Sequence, residues 1–244
     1  MKLAKYLDDL VEWIQQSVKA AHADGVIVGL SGGIDSAVVA NLAKKAFPNN
    51  YLTVWMPIAS SQEDWTCQEA IVQANDLNCV TVDLLETFKQ IEKTMTKTNV
   101  ELAPLALANT KARLRMSTLY ALGQSKKYLV LGTDNWDEWH IGYFTKYGDG
   151  GVDLVPLIHL LKREVRQAAK LLNVPEVIID RAPTAGLWTN QTDEDEIGLS
   201  YDVIDDYLIG KNKDVNVEQR LQHLHAISEH KRNLAAKPKE FLRD

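Results

Sequence analysis

The amino-acid sequence predicts a doubly wound α/β fold, a mostly parallel sheet with helices on both faces. Three features carry this expectation. Four short apolar runs, GVIVGL, YLTVWMP, CVTVDLL and YLVLG, are too brief for helices. Stretches of helical patterning long enough for crossovers separate them, as parallel strands require. A glycine-rich turn lies between the first run and the helix that follows it. The 244 residues suit one domain, and 45% hydrophobic with 25% charged residues excludes a disordered or collagen-like chain.

Leu3, Leu7, Leu10, Ile14 and Val18 form one apolar stripe, widened by Tyr6 and Trp13, and predict an N-terminal helix packed on the sheet. GVIVGL reads as a strand buried on both faces, followed by a helix from about Asp35 through SAVVANLAKKAF. YLTVWMP is the second strand, EDWTCQEAIVQAND a helix, CVTVDLL the third strand and ETFKQIEKTMTK another helix. A helix from about Leu105 to Gly123 precedes YLVLG, the fourth strand. Beyond it lie a glycine-rich loop (FTKYGDGG), a helix over LIHLLKREVRQAAKLL, a polar loop (APTAGLWTNQTDEDE) and a mostly helical end. No repeat, low-complexity tract or linker divides the chain. Ligands of such sheets bind at the carboxyl ends of the strands, which directs attention to the loops after GVIVGL and YLVLG.

Lys and Arg number 27 against 33 Asp and Glu, a net charge of −6, which does not support a large basic nucleic-acid surface. Cys67 and Cys79 form no CxxC, against a zinc ribbon, an iron–sulfur cluster or a redox pair. Asp8, Asp9 and Glu12 interrupt what a signal peptide would keep apolar, and no run approaches a membrane span; a cytoplasmic protein is expected.

The residues Gly29, Leu30, Ser31, Gly32, Gly33, Ile34, Asp35 and Ser36 stand between strand and helix, where backbone amides and a helix N-terminus converge on an anion. Gly32 and Gly33 allow close approach of a phosphate. A Walker A motif would need a lysine here, and a dinucleotide fingerprint would need glycine at Ser31. Asp35 beside a phosphate is repulsive unless a cation intervenes, so it reads either as a Mg²⁺ ligand or as a helix N-cap.

SGGIDS resembles the pyrophosphate loop of the N-type ATP pyrophosphatases. With NTKARLRM, GTDNWDEWHIGYFTKYGDGGVDLVP, APTAGLWTNQTDEDEIGLSYDVIDDYL and SEHKR, nearly the whole chain is similar to the ammonia-dependent NAD synthetases. The resemblance implies a Rossmann-like fold of the adenine nucleotide alpha hydrolase kind, a single synthetase domain over residues 1–244 without a glutaminase domain, and a homodimer. It implies a ligase that forms a carbon–nitrogen bond. ATP adenylylates the nicotinate carboxylate of deamido-NAD with release of pyrophosphate, and ammonia then displaces AMP to give NAD.

Carried over by position, the ATP site corresponds to Gly29 through Ser36, Thr133, Lys162 and Thr184, and the Mg²⁺ ligands to Asp35 and Glu138. Asp35, Glu138 and Lys162 are the candidate catalytic residues, with Lys162 expected to supply the cation missing from the phosphate loop. The deamido-NAD site corresponds to Arg113, Lys146, Asp153, His230 and Lys231, with Arg115 an alternative to Arg113 that spacing does not decide. Asp134, Trp136 and Asp137 add charge and bulk beside Glu138, where family members commonly have small or neutral residues. FTKYGDGG and the segment from Thr189 to Glu196 are candidate lids over the intermediate. An RNA-modifying ATP pyrophosphatase would favour a basic extension or catalytic cysteines, and a nucleotide sensor would have little need of FTKYGDGG or a second metal carboxylate.

Overall fold

The computed structural model describes residues 2–184 and 192–241. Helix α1 (Lys2–Ala20) leads into β1 (Gly25–Gly29), α2 (Ile34–Ala46), β2 (Tyr51–Trp55), α3 (Gln62–Ala74), β3 (Cys79–Thr81) and α4 (Leu85–Met95). Then follow α5 (Pro104–Lys126), β4 (Tyr128–Leu131), α6 (Trp136–Ile141), α7 (Lys162–Leu171) and α8 (Glu176–Ile179). The described chain ends in α9 (Asp193–Ile197), α10 (Tyr201–Leu208), α11 (Val215–Ile227) and α12 (Glu229–Arg232).

The four strands form one parallel sheet in the order β3-β2-β1-β4. Chain order reverses at β1, which pairs β2 on one side (Ile27 opposite Leu52) and β4 on the other (Ile27 opposite Val130). Loops leaving β1 and β4 therefore diverge and open a crevice at their carboxyl ends. Alternation along β1 assigns its two faces: Val26 and Val28 join the core under α1, α2 and α7, whereas Ile27 packs with Phe88 of α4 and Leu119 of α5. A third cluster, Ile141, Ile197, Tyr201, Ile204 and Leu221, binds α6, α9, α10 and α11 into a layer beside the crevice.

The expected strands and crossover helices are present, with three differences in detail. On α1, Leu7, Leu10, Ile14 and Val18 are buried as expected, but Trp13 is 40% exposed and does not widen the stripe. The helix expected over LIHLLKREVRQAAKLL begins only at Lys162, because the Glu164 carboxylate accepts the Leu161 amide at 3.0 Å and caps the helix there. Helix α6 was not anticipated; its signal is the spacing Asn135 to Glu138, a reciprocal capping box.

Candidate active site

The loop after β1 is laced by its own serines. The Ser31 amide donates to Ser36 Oγ at 3.1 Å, Ser36 Oγ donates to the Gly33 carbonyl at 2.9 Å, and the Gly33 amide donates to Ser31 Oγ at 3.2 Å. Gly32 has φ +80°, which favours glycine, and a Cβ there would lie a tight 3.1 Å from the Asp64 carbonyl oxygen. No side chain caps the N-terminus of α2, which leaves its first amides directed to the crevice.

Asp35, in the first turn of α2, meets two residues brought from far along the chain. Lys162 Nζ lies 2.6 Å from Asp35 Oδ2 and 3.1 Å from Glu138 Oε1, while Asn135 Nδ2 donates to Asp35 Oδ1 at 2.9 Å. The capping box fixes Glu138: its amide donates to Asn135 Oδ1 at 3.1 Å and its Oε2 accepts the Asn135 amide at 3.2 Å. Lys162 opens α7, where its amide donates to Asp137 Oδ2 at 2.9 Å and Asp205 Oδ1 at 3.0 Å. Carboxylates of α6 and α10 thus pin the helix that delivers the ammonium. The Tyr201 hydroxyl sits 3.2 Å from Glu138 Oε1 and 3.1 Å from Asp193 Oδ2, and its ring lies 4.7 Å from Lys162 Nζ.

The side chain of Lys162 is only 2% exposed. Burial works against its charge, but Asp35 and Glu138 outweigh it and hold the ammonium protonated. Burial pushes the Glu138 carboxyl up to about 7, because one ammonium does not neutralise Asp35, Glu138 and Asp193 together. Asp134 Oδ2 is buried without a hydrogen-bond partner, and burial, then the charges of Asp149, Glu138 and Asp35, raise this carboxyl well above the usual range.

A cleft of about 440 Å³ gathers these groups. Of the expected ATP-site residues, Gly29, Leu30, Ser31, Gly33, Ile34, Asp35, Ser36, Thr133, Lys162 and Thr184 line it, as does Glu138; Gly32 turns instead against α3. Of the expected second-substrate residues only Lys231 lines it, its ammonium donating to the Gly142 and Phe144 carbonyls at 2.8 Å. Arg113, Lys146 and His230 form a separate group: Arg113 donates to the Lys146 carbonyl at 3.3 Å, and Lys146 Nζ donates to the carbonyls of His230 and Asn233. Asp153 accepts the Tyr120 hydroxyl at 3.0 Å and the Val130 amide at 2.8 Å, beside β4. Arg115 does line the cleft.

The FTKYGDGG loop is held in place, with Asp149 accepting the Thr145 amide at 3.1 Å and Thr145 Oγ1 donating to Asn109 at 2.8 Å. Of the other candidate lid, Thr189, Asn190 and Gln191 lie outside the described residues, as do residues 185–188 of PTAGLW; Thr192 caps α9. Asn135 and Tyr201 were not anticipated as site residues; Asp134 was singled out only as charge beside Glu138, and Asp193 only as part of a candidate lid. The capping spacing marks Asn135, whereas Tyr201 is brought in by tertiary packing alone.

Among the described residues no cluster of three or more His, Cys, Asp or Glu could hold a metal by itself. Asp35 and Glu138 nevertheless fit magnesium, which takes one or two carboxylates and completes its shell with phosphate oxygens and water.

The NAD synthase family profile matches residues 6–235. The chain is 60% identical, over 100% of both chains, to the NH3-dependent NAD+ synthetase of Mesoplasma florum. Among solved structures it is similar to the NMN synthetase of Francisella tularensis (TM-score 0.93, 37% identity, covering 98% of this chain and 100% of that one). It is also similar to the NH3-dependent NAD synthetase of Campylobacter jejuni (TM-score 0.80, 28% identity, covering 98% and 100%). With a phosphate loop at the switch point of the sheet and these likenesses over its length, the chain belongs to the NAD synthase family.

Proposed function

We propose that the cleft performs the ATP-driven amidation of deamido-NAD by free ammonia. A carboxylate is a poor electrophile, so the nicotinate oxygen first attacks the α-phosphorus of ATP, forming the acyl-adenylate and expelling pyrophosphate. Ammonia then adds to the acyl carbon, AMP leaves with the carboxylate oxygen, and the amide nitrogen sheds its extra proton. The observation that carries this reading is the Lys162 ammonium held between Asp35 and Glu138 at the mouth of the phosphate loop. The uncapped amides of α2 face the charge that builds on departing pyrophosphate. Lys162 fixes the two carboxylates, and Asn135 and Tyr201 orient one each.

Asp35 and Glu138 would hold Mg²⁺, which when bound neutralises phosphate oxygens. The ATP assignments Gly29 through Ser36, Thr133, Lys162 and Thr184 are supported by their place around the cleft, where only Gly32 turns aside. Arg113, Lys146, Asp153, His230 and Lys231 are assigned to deamido-NAD, with Lys231 at the cleft and the others outside it. The name of the Mesoplasma florum relative, matched over its whole length, supports ammonia as the donor. A cytoplasmic homodimer built on one synthetase domain is part of the same proposal.

The test is to incubate the protein with Mg²⁺, ATP, deamido-NAD and ammonium and to measure NAD, AMP and pyrophosphate. Equal yields of the three are expected; AMP without NAD would redirect the search to another acceptor. The TM-score of 0.93 to an NMN synthetase, against 0.80 to an NAD synthetase, favours a second reading in which the mononucleotide acid is the acceptor. Comparison of kcat/KM for the mono- and dinucleotide acids decides between them.

A further inference from the structure

The phosphate loop contains no lysine, and the lysine expected to serve it is committed elsewhere. Lys162 is buried between Asp35 and Glu138, and those three groups together carry a net negative charge toward any phosphate on the loop. Four basic side chains line the cleft among the described residues: Arg115, Lys162, Arg181 and Lys231. Arg181 is paired with Asp64 and, at 3.5 Å, with Glu63. Lys231 spends two donors on the carbonyls of Gly142 and Phe144.

Arg115, like Lys231, makes no ion pair with a carboxylate of the described residues, although Asp149 and Asp64 act on it through space. It differs in that its Nε donates to the Met56 carbonyl at 3.0 Å while the guanidinium carries further donors. Anchoring Nε in this way orients the planar fork and leaves the terminal nitrogens for a ligand. The placement is set by the fold. A Cβ on Gly29 would lie 3.3 Å from Met56 Cε and 3.5 Å from Leu119 Cδ1, so Met56 and Leu119 floor the crevice at the end of β1. Arg115 precedes Leu119 by one helical turn, about 6 Å along α5. Because α5 crosses back to the parallel strand β4, that displacement is toward the carboxyl ends of the strands, over the loop.

We propose that Arg115 binds the phosphoryl oxygens of the ATP seated on the Gly29–Ser36 loop and is the loop's missing cation. This rests on the reading of ATP as substrate. The planar fork can grip two phosphoryl oxygens at once, which a lysine cannot.

The test is titration calorimetry of the whole protein with MgATP, AMP and adenosine, for wild type, Arg115→Met and Arg115→Lys. The Met variant is expected to bind ATP about tenfold to a hundredfold more weakly, the size of a lost charge-assisted hydrogen bond, and to bind adenosine unchanged. The Lys variant, which keeps the charge and loses the fork, falls between, and it carries the test if the Met variant does not fold. Wild-type ATP affinity in both variants overturns the proposal, as does equal weakening of ATP and adenosine. An unchanged KM for ATP with a raised KM for the acid substrate overturns it by assigning Arg115 to that substrate. If wild type itself binds no ATP, it is the proposed function that fails.

Discussion

Replacing Lys162 by methionine keeps the length of the side chain and removes the one charge that makes its site tolerable. The Lys162 side chain is 2% exposed, and those of Asp35 and Glu138 are 16% and 13% exposed. Without the ammonium, two poorly solvated carboxylates face each other, with Asp193 behind the Tyr201 hydroxyl. Breaking a buried pair from one side costs about 3–5 kcal/mol. For a chain of this length that is a fall in Tm of roughly 6–20 °C. The loss has a pH signature. Glu138, already pushed up to about 7 with the lysine present, moves higher in its absence. Its folded pKa then stands far above its unfolded value of 4.5, so the folded state keeps a proton that the unfolded state releases, and stability is lost as pH rises. Urea melts of wild type and Lys162→Met in magnesium-free buffer, at about pH 6 and about pH 8.5, should show the larger gap at the higher pH. Adding Glu138→Gln to the variant should close most of it. A gap below about 1 kcal/mol, equal at both pH values, would refute this electrostatic account of Lys162.

Glu138→Gln alone should lower kcat on the order of a hundredfold, the scale of one lost electrostatic group, while leaving Tm unchanged or higher; wild-type turnover would remove Glu138 from the reacting centre. Asp137 is pushed up to about 8 by burial and by Asp205, from the ordinary 3.8. It therefore keeps a proton across that window and makes stability decline with rising pH by on the order of 1 kcal/mol per pH unit. Asp137→Asn should flatten that slope in a pH series of urea midpoints, and an unaltered slope would count against the assignment. At Gly142, φ is +69° and a Cβ would lie 2.1 Å from Ser228 Cβ. Gly142→Ala should destabilise by about 2–4 kcal/mol in thermal or urea melts, with partial recovery by Ser228→Gly.

What could be read from the sequence follows the range of the interaction that specifies it. The strands and α1 are local periodicities, and α1 fails only at Trp13, whose stripe position does not reach the sheet. The Gly29–Ser36 loop is likewise local, because its serines bond within the loop itself. Glu138 was singled out through resemblance and lies beside Asp35 and Lys162; the spacing to its capping partner Asn135 is local, although the bond from Asn135 to Asp35 is not. Tyr201 and Asp193 reach the site only when α9 and α10 pack on α6, and the polar composition of the segment around Asp193 signals a loop over the site but not this contact.

Charge is where reading residue by residue misleads most. The resemblance assigns Arg113, Lys146, Lys162 and Lys231 to the two nucleotide sites; Lys162 and Lys231 line the cleft, and Arg113 and Lys146 join each other outside it. The cleft is instead rich in carboxyl groups: Asp35, Asp64, Asp134, Glu138, Asp149, Asp193 and Glu196 line it against Arg115, Lys162, Arg181 and Lys231, and burial raises Asp134, Asp149 and Glu138 above the usual carboxylate range. Its cations are largely consumed by its own carboxylates, as Lys162 and Arg181 show. A polyanionic nucleotide can enter such a site only where positive potential survives without a neutralising partner. The uncapped amides of α2 are one such source, the guanidinium of Arg115 on α5, which makes no ion pair, is proposed as a second, and magnesium arriving with ATP would add a third. The acidic net charge is thus a property of the site as well as of the surface, and the charge of Lys162 reaches ATP only through the balance it strikes with Asp35 and Glu138.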